Sequence, residues 1–164
     1  MLPLAHVVNG TEFLTPQQWG REQERHLIST RGRLVVASCR SGSQLAGRVV
    51  ARYRELLREA GGAGEVTFLD GVDRRFSDGE TGVRLSDHVG GHDVYLFQAL
   101  YDPTSDRSVD ENYVAFLVAV RAFVEHGARH VTGVLPYLAY ARQDKPTRFE
   151  REPTTARLMA DLAI

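Results

Sequence analysis

The apolar and polar positions change their spacing at Leu34. The β-branched run Leu34–Ser38 (LVVAS) predicts a short buried strand. From Leu45 to Leu57 the apolar side chains recur at intervals of three and four residues, which is the spacing of one face of a helix. Gly61 and Gly62 predict the end of that helix. The chain therefore passes from one strand into one amphipathic helix.

The segments that follow repeat this alternation. Further strands are predicted at Glu65–Asp70, at Gly82–Asp87 on the far side of a polar turn, at His92–Leu100 and from His130, and a long helix is predicted from about Asp110 to His126. Strands that alternate with helices are typical of a parallel sheet covered on both faces. The pattern therefore predicts an α/β fold, a three-layer domain built on a parallel sheet.

The two ends of the chain are read differently. Residues 1–30 are mixed in character and are interpreted as an amino-terminal extension with one short helix, so the domain is expected to occupy residues 31–164. The closing segment from Thr154 to Ile164 reads as a helix without a glycine, asparagine or proline to end it. We expect from this that the sequence is the first part of a longer chain.

The composition limits the kind of protein. With 164 residues, 43% of them apolar and 25% charged, one globular domain is expected. The formal net charge of −1 argues against a global basic field for nucleic acid or for an anionic membrane, so any anion site is local. Cys39 is the single cysteine, and neither a bilayer-spanning apolar run nor a secretion signal is present. The cytoplasm is the expected location.

The first of three loops that could carry chemistry is Ser38–Ser43. In open parallel sheets, ligands collect where strands lead into helices, and backbone amides at such a point can hold an anion. The alternative is an ordinary loop in which Ser41 or Ser43 caps the helix, and this alternative is favoured. Cys39 is interpreted as a packed residue rather than a reactive thiol.

The second loop is Arg74–Glu80. Phe76 offers a ring for stacking on a base, and the carboxylates of Asp78 and Glu80 suit hydrogen bonds from an amino group or a ribose. A polar hairpin turn is the alternative, since Ser-Asp-Gly is common turn chemistry. On spacing alone, the hairpin turn is slightly favoured.

The third loop is Tyr140–Glu152. Arg142 can donate two hydrogen bonds to a phosphate, and Gln143 can form hydrogen bonds with a polar edge of a ligand. Asp144 can accept a hydrogen bond from a hydroxyl or a metal-bound water. A solvated charged loop is the alternative.

Four stretches, taken in this order, resemble one known family. They are RFSDGE (Arg75–Glu80), VRLSDHVGGHDVYLFQ (Val83–Gln98), VLPYLAYARQD (Val134–Asp144) and REPTTARLMADL (Arg151–Leu162). Over roughly Leu34–Ile164 the sequence resembles ribose-phosphate pyrophosphokinase, the phosphoribosyl pyrophosphate synthetases. The resemblance implies a phosphoribosyltransferase-like fold.

The resemblance also implies an activity and a site. The family transfers diphosphate from ATP, bound with Mg²⁺, to ribose 5-phosphate, and it forms homo-oligomers. Phe76, Asp78 and Glu80 look like the residues that hold the adenine from one subunit. Arg142, Gln143 and Asp144 look like the residues that meet the ATP of the adjoining subunit's site.

This chain also departs from the family pattern. It ends before the Asp-Leu-His stretch at the magnesium-ATP site and before the second domain, which holds ribose 5-phosphate. Cys39 and Arg40 stand where a glycine-asparagine pair is usual. We therefore expect a chain that binds ATP, is inactive alone and meets ribose 5-phosphate only with a second domain. The alternative is a non-catalytic regulatory paralogue that binds nucleotide or an active synthetase.

Overall fold

The computed structural model describes residues 6–8, 11–13, 17, 32–62, 65–146 and 151–163. The strands are β1 His6–Val8, β2 Thr11–Phe13, β3 Leu34–Ser38, β4 Thr67–Leu69, β5 Asp73–Arg75, β6 Thr81–Val83, β7 Asp93–Phe97 and β8 His130–Val134. The α-helices are α1 Ser43–Glu59, α2 Val109–Glu125 and α3 Thr155–Ala163. Short 3₁₀ turns occupy Arg40–Gly42 and Ala141–Gln143.

Four strands form a parallel sheet in the order β4-β3-β7-β8. Helix α1 connects β3 to β4, and α2 connects β7 to β8, so each connection is a strand-helix-strand crossover of the kind that parallel pairing requires. The predicted alternation of strands and helices is confirmed.

The two faces of the sheet bury separate sets of side chains. On β3, Val35 and Ala37 join one core with Phe116 of α2, whereas Val36 joins the other core with Val50 of α1. This alternation follows from the two-residue period of a strand, which sends neighbouring side chains to opposite faces. Helix, sheet and helix therefore form three layers, and the predicted fold class is confirmed.

The region between β4 and β7 differs from its prediction. The polar turn expected between two strands contains a strand of its own, because Asp73–Arg75 pairs antiparallel with Thr81–Val83. Pairing inside the polar stretch satisfies backbone groups that a long loop would leave to water. The predicted strand at Gly82–Asp87 is consequently shorter and begins one residue earlier.

The described part of the predicted amino-terminal extension is a hairpin in which β1 pairs antiparallel with β2. Nearly all other residues of that extension, and with them its predicted helix, lie outside the described residues. Within the described ranges, no helix combines the length and the apolar character needed to cross a membrane.

Candidate functional site

The loop after β3 is packed against the end of β7. Ser41 Oγ lies 2.8 Å from both Gln98 Oε1 and the Ala99 carbonyl oxygen, and its one hydroxyl proton can be donated to either acceptor. A side chain at Gly42 would meet the Phe97 carbonyl oxygen at 2.2 Å, so only glycine allows this approach. Gly42 is also the N-cap of α1, which receives no side-chain cap. The predicted cap by Ser41 or Ser43 is therefore wrong, and this loop serves packing.

Cys39 is fully buried in the same loop, and its Sγ lies 3.9 Å from the Ala115 carbonyl oxygen. Burial raises the pKa of the Cys39 thiol far above its ordinary value, and the nearby charge of Asp73 raises it further. Because the thiolate is the nucleophile, we expect this buried thiol to be unreactive at neutral pH. The interpretation of Cys39 as a packed residue is confirmed.

The turn that carries Phe76 is closed by its own hydrogen bonds. The Phe76 N–H donates to the Glu80 carbonyl at 2.8 Å, and the Gly79 N–H donates to the Phe76 carbonyl at 3.0 Å. Asp78 Oδ1 accepts from the Glu80 N–H at 3.1 Å. Gly79 has a φ of +97°, which favours glycine at this position. The stretch is thus a hairpin turn, and its three candidate side chains are all exposed.

The Phe76 ring has a defined place on this hairpin although it is 43% exposed. The guanidinium carbon of Arg74 lies 4.7 Å from the ring centroid, a cation–π distance. A methyl group at Gly82 would lie 2.7 Å from Cε2 of Phe76, so the ring lies close over the glycine of the opposite strand. The hairpin therefore presents a partly exposed aromatic ring that also contacts the Arg74 guanidinium.

The hairpin is joined to the start of α2 by an outer pair of ionic contacts. Arg75 Nη2 lies 2.8 Å from Glu111 Oε1, and Arg75 Nη1 lies 3.5 Å from Asp106 Oδ2. One guanidinium group thus bridges two carboxylates of the segment that begins α2, and it does so one position before Phe76.

An inner ion pair joins the same two segments. Arg107 Nη1 donates to Asp73 Oδ2, and the other oxygen of Asp73 accepts from the backbone N–H of Arg40 at 2.6 Å. The Asp73 side chain is 0% exposed and that of Arg107 is 9% exposed. One buried carboxylate therefore ties the hairpin to the β3 loop and to the loop before α2.

The first turn of α2 is held by a capping box. Ser108 Oγ accepts from the Glu111 N–H at 3.1 Å, and Glu111 Oε2 accepts from the Ser108 N–H at 2.7 Å. The Ser108 backbone N–H is the main cause that lowers the pKa of Glu111, followed by the Ser108 side chain, with a smaller contribution from the charge of Arg75. Glu111 is therefore an anion near neutral pH.

The second group of candidate residues follows β8 on a 3₁₀ turn. Arg142, Gln143 and Asp144 are all exposed. The preceding Tyr140 has a φ of 63°, a left-handed conformation that is uncommon for a bulky residue, and its hydroxyl donates to Asp110 Oδ1. This hydrogen bond is the main cause that raises the pKa of the Tyr140 hydroxyl. Farther along the turn, Gln143 Oε1 accepts from the hydroxyl of Thr155 at the start of α3.

A cavity of about 680 Å³ opens beside this turn. The polar and aromatic side chains that line it are Tyr101, Asp110, Tyr137, Tyr140, Arg142 and Gln143. Sequence reasoning missed Tyr101, Asp110 and Tyr137 as lining residues, since all three lie outside the three selected loops. The Ser-x-x-Glu spacing of Ser108 and Glu111 was a readable signal for the start of α2, but it does not mark Asp110 as a contact of Tyr140.

The structure groups the six candidate residues into two sets of three. Phe76, Asp78 and Glu80 share the hairpin turn, and the other three share the 3₁₀ turn. No hydrogen bond or ion pair joins the two sets in the part of the chain that the structure describes. Within the same ranges, no group of three or more histidine, cysteine or acidic side chains could hold a metal ion.

Comparison with known proteins connects this domain to one family. A family model described as the N-terminal domain of ribose phosphate pyrophosphokinase matches residues 34–163. Ribose-phosphate pyrophosphokinase of Shewanella oneidensis is 41% identical over 92 residues, which cover 56% of this chain and 28% of that protein. The enzyme of the same name from Haemophilus influenzae is 41% identical over 97 residues, which cover 59% of this chain and 29% of that protein.

A solved structure agrees with these sequence matches. The crystal structure of phosphoribosylpyrophosphate synthetase from Mycobacterium smegmatis superimposes with a TM-score of 0.64 at 30% identity, over 80% of this chain and 38% of that one. The fold is therefore of the phosphoribosyltransferase type, as predicted. The chain spans less than a third of the length of the two curated relatives named above. Because the family model covers most of the chain, this protein belongs to the family of the N-terminal domain of ribose phosphate pyrophosphokinase.

Proposed function

We propose that this chain is the ATP-binding amino-terminal half of a ribose-phosphate pyrophosphokinase, which transfers diphosphate from ATP to ribose 5-phosphate and yields phosphoribosyl pyrophosphate and AMP. The observation that carries the proposal is the exposed Phe76 ring, held on a hydrogen-bonded turn within a domain of this family. A half-exposed aromatic ring costs free energy in water, and a base that stacks on it removes that surface from solvent.

The Phe76 turn supplies the groups that an adenine base requires. Oδ1 of Asp78 is used inside the turn, which leaves Oδ2 and the Glu80 carboxylate without a hydrogen-bond partner among the described residues. An ionised carboxylate accepts hydrogen bonds and donates none, so these groups suit an exocyclic amino group or ribose hydroxyls. These acceptors fit the amino group of adenine, and because they would also accept from the donors of guanine, the expected preference for ATP over GTP rests on the family resemblance.

The Arg142 turn supplies groups that suit a polyphosphate. Arg142 presents a planar fork of donors, and Gln143 and Asp144 lie beside it on the same exposed turn. The Mg²⁺ ion that accompanies ATP neutralises charge on the phosphates, and it travels with the nucleotide as part of the substrate. The protein's own contribution is to position and neutralise the phosphate chain, the main requirement of phosphoryl transfer.

We further propose that the two sets serve one nucleotide from adjoining copies in a homo-oligomer. Phe76, Asp78 and Glu80 then contact the base from one subunit, and Arg142, Gln143 and Asp144 contact the ATP from the other. The 164 residues alone are expected to bind ATP and to catalyse nothing. In the family, the residues that bind ribose 5-phosphate belong to the second domain. A cytoplasmic location fits this role.

A calorimetric titration tests the proposal. Mg-ATP is added to the chain at two protein concentrations, one low and one high enough to promote self-association, with Mg-GTP as the comparison nucleotide. Saturable binding that favours ATP and strengthens at the higher concentration supports the proposal. Absence of saturable binding at both concentrations contradicts it. Release of AMP from ATP and ribose 5-phosphate by these 164 residues would contradict the expected inactivity.

A further inference from the structure

Consecutive residues of α2 contact both of the loops that carry the candidate nucleotide-binding groups. Glu111 accepts from Arg75, the residue directly before Phe76. Asp110 accepts from the hydroxyl of Tyr140, two positions before Arg142. The two loops are separated by more than sixty positions in the sequence, and the first turn of one helix meets both.

The hairpin requires an anchor of this kind. Its strands β5 and β6 contain three residues each, and they do not pair with the four-stranded sheet within the described residues. A two-stranded hairpin is marginally stable alone in water. The base of the hairpin is tied down by the buried Asp73, whereas the end next to Phe76 is exposed and contacts α2 through Arg75.

The Tyr140 turn requires an anchor for a different reason. A tyrosine at a φ of 63° costs free energy and persists where its surroundings determine the conformation. The residues that follow it, from 141 to 146, are all exposed, so burial does not hold them in place. The hydrogen bond to Asp110 fixes the tyrosine ring and with it the direction in which the chain enters the 3₁₀ turn.

The helix that provides the anchor is rigid at this end. Its first turn has both halves of a capping box, and Asn112, Ala115 and Phe116 directly after it are buried. The capping box also orients the Glu111 carboxylate, since one oxygen accepts from Ser108 while the other meets Arg75. A fixed helix end that carries two carboxylates at neighbouring positions sets the placement of both loops together.

The geometry points to Asp110 and Glu111 as positioning residues that hold the Phe76 loop and the Arg142 loop in their binding arrangement. The nucleotide part of this inference rests on the proposed function, whereas the anchoring of the loops does not. Neither carboxylate is assigned to contact ATP. Each acts through a partner, Asp110 through Tyr140 and Glu111 through Arg75.

Two single variants test the inference. Arg75→Gln removes the ion pair to Glu111 together with the longer contact to Asp106, and Tyr140→Phe removes only the hydroxyl that Asp110 accepts from. Arg52→Gln and Tyr53→Phe on α1 are the matched controls, because Arg52 also forms exposed ion pairs and α1 covers the other face of the sheet. The readouts are amide hydrogen exchange, the Kd for Mg-ATP and the thermal midpoint.

The expected result is local. Arg75→Gln should speed exchange at the Phe76 and Gly79 amides, and Tyr140→Phe should speed exchange at the Gln143 amide, which donates to the Tyr140 carbonyl. Each variant should raise the Kd by roughly fivefold, the effect of one exposed polar contact, while its thermal midpoint falls no further than in the controls. Arg75→Lys, which keeps the charge, should restore part of the affinity.

Two other results would overturn the inference. Unchanged exchange at these amides would show that α2 does not anchor the loops. Faster exchange with an unchanged Kd would show that the anchor has no part in nucleotide binding. A wild-type chain that binds no Mg-ATP would instead count against the proposed function, and the exchange data alone would then decide whether Asp110 and Glu111 hold the loops.

Discussion

Arg107 and Asp73 form an ion pair whose two side chains are almost completely removed from water. They lie 34 positions apart in the sequence, and their contact closes the base of the hairpin against the loop that leads into α2. A charge in such a place is stable only while its partner remains, because water is not available to replace it.

Removal of one member of this pair should therefore lower the free energy of unfolding by more than removal of both charges. We expect Arg107→Met to lower the free energy of unfolding by about 3–5 kcal/mol, since it leaves the Asp73 carboxylate buried without its counter-ion. The double variant Asp73→Asn/Arg107→Met should lose much less than the sum of the two single variants, because asparagine still accepts from the Arg40 N–H. Urea unfolding of the four proteins measures this, and additive losses would contradict it.

Phe76→Ala should weaken nucleotide binding and leave the fold intact. Stacking of a base on an aromatic side chain typically contributes ~1–3 kcal/mol, and a ring that is 43% exposed adds little to the core. Calorimetry gives the Kd for Mg-ATP, and a thermal scan gives the stability. Val124→Ala, at an exposed apolar position near the end of α2, is the control and should leave the Kd unchanged. An unchanged affinity in Phe76→Ala would remove Phe76 from the site.

Gly82→Ala tests whether the position of the Phe76 ring matters. The added methyl group would lie 2.7 Å from Cε2 of Phe76 and 3.0 Å from Nε of Arg74, and both are ends of flexible side chains. The ring should therefore swing away, and the Kd for Mg-ATP should rise by no more than in Phe76→Ala. Gly47→Ala is the control because a methyl group there meets nothing within 4 Å, and it should stabilise helix α1 by up to ~1 kcal/mol. If Gly82→Ala and the control Gly47→Ala bound Mg-ATP with equal affinity, the position of the ring would have no role in binding.

The stability of the capping box should depend on pH in the acid range. The pKa of Glu111 is lowered in the folded protein from its ordinary value of 4.5. The stability that the ionised Glu111 adds to the folded protein is therefore complete above that value and is lost as the pH falls through the lowered pKa. Glu111→Gln keeps the capping hydrogen bonds without the titrating charge. Below pH 5, the thermal midpoint should therefore fall more steeply with decreasing pH in the wild type than in this variant. Parallel curves of midpoint against pH would contradict the prediction.

The Cys39 thiol should resist alkylation and disulfide exchange while the protein is folded. It is fully buried and its pKa is raised, so neither access nor thiolate is available near pH 8. Reaction with a chromogenic disulfide should proceed only as urea unfolds the protein and should follow the unfolding curve. A stoichiometric reaction of the native chain within seconds would show that the β3 loop opens.

The sequence by itself determined the layered α/β fold, the places of β3, β7 and α2, and the loops that follow the strands. These features depend on local periodicity, because apolar side chains must alternate along a strand and recur every three or four residues along a helix in order to be buried. The motifs around Phe76 and Arg142 likewise marked the family from residues that are close together in the chain.

Only the tertiary structure decided that Asp73–Arg75 is a strand, that Arg107 neutralises a buried carboxylate and that one helix end meets both candidate loops. The strand pairs with Thr81–Val83 nearby in the chain, whereas the other contacts join residues 30 or more positions apart, as in the hydrogen bond from Tyr140 to Asp110. No local pattern distinguishes a charged side chain that will be buried with a distant partner from one that stays in water, because the difference in free energy arises only when packing brings the two segments together.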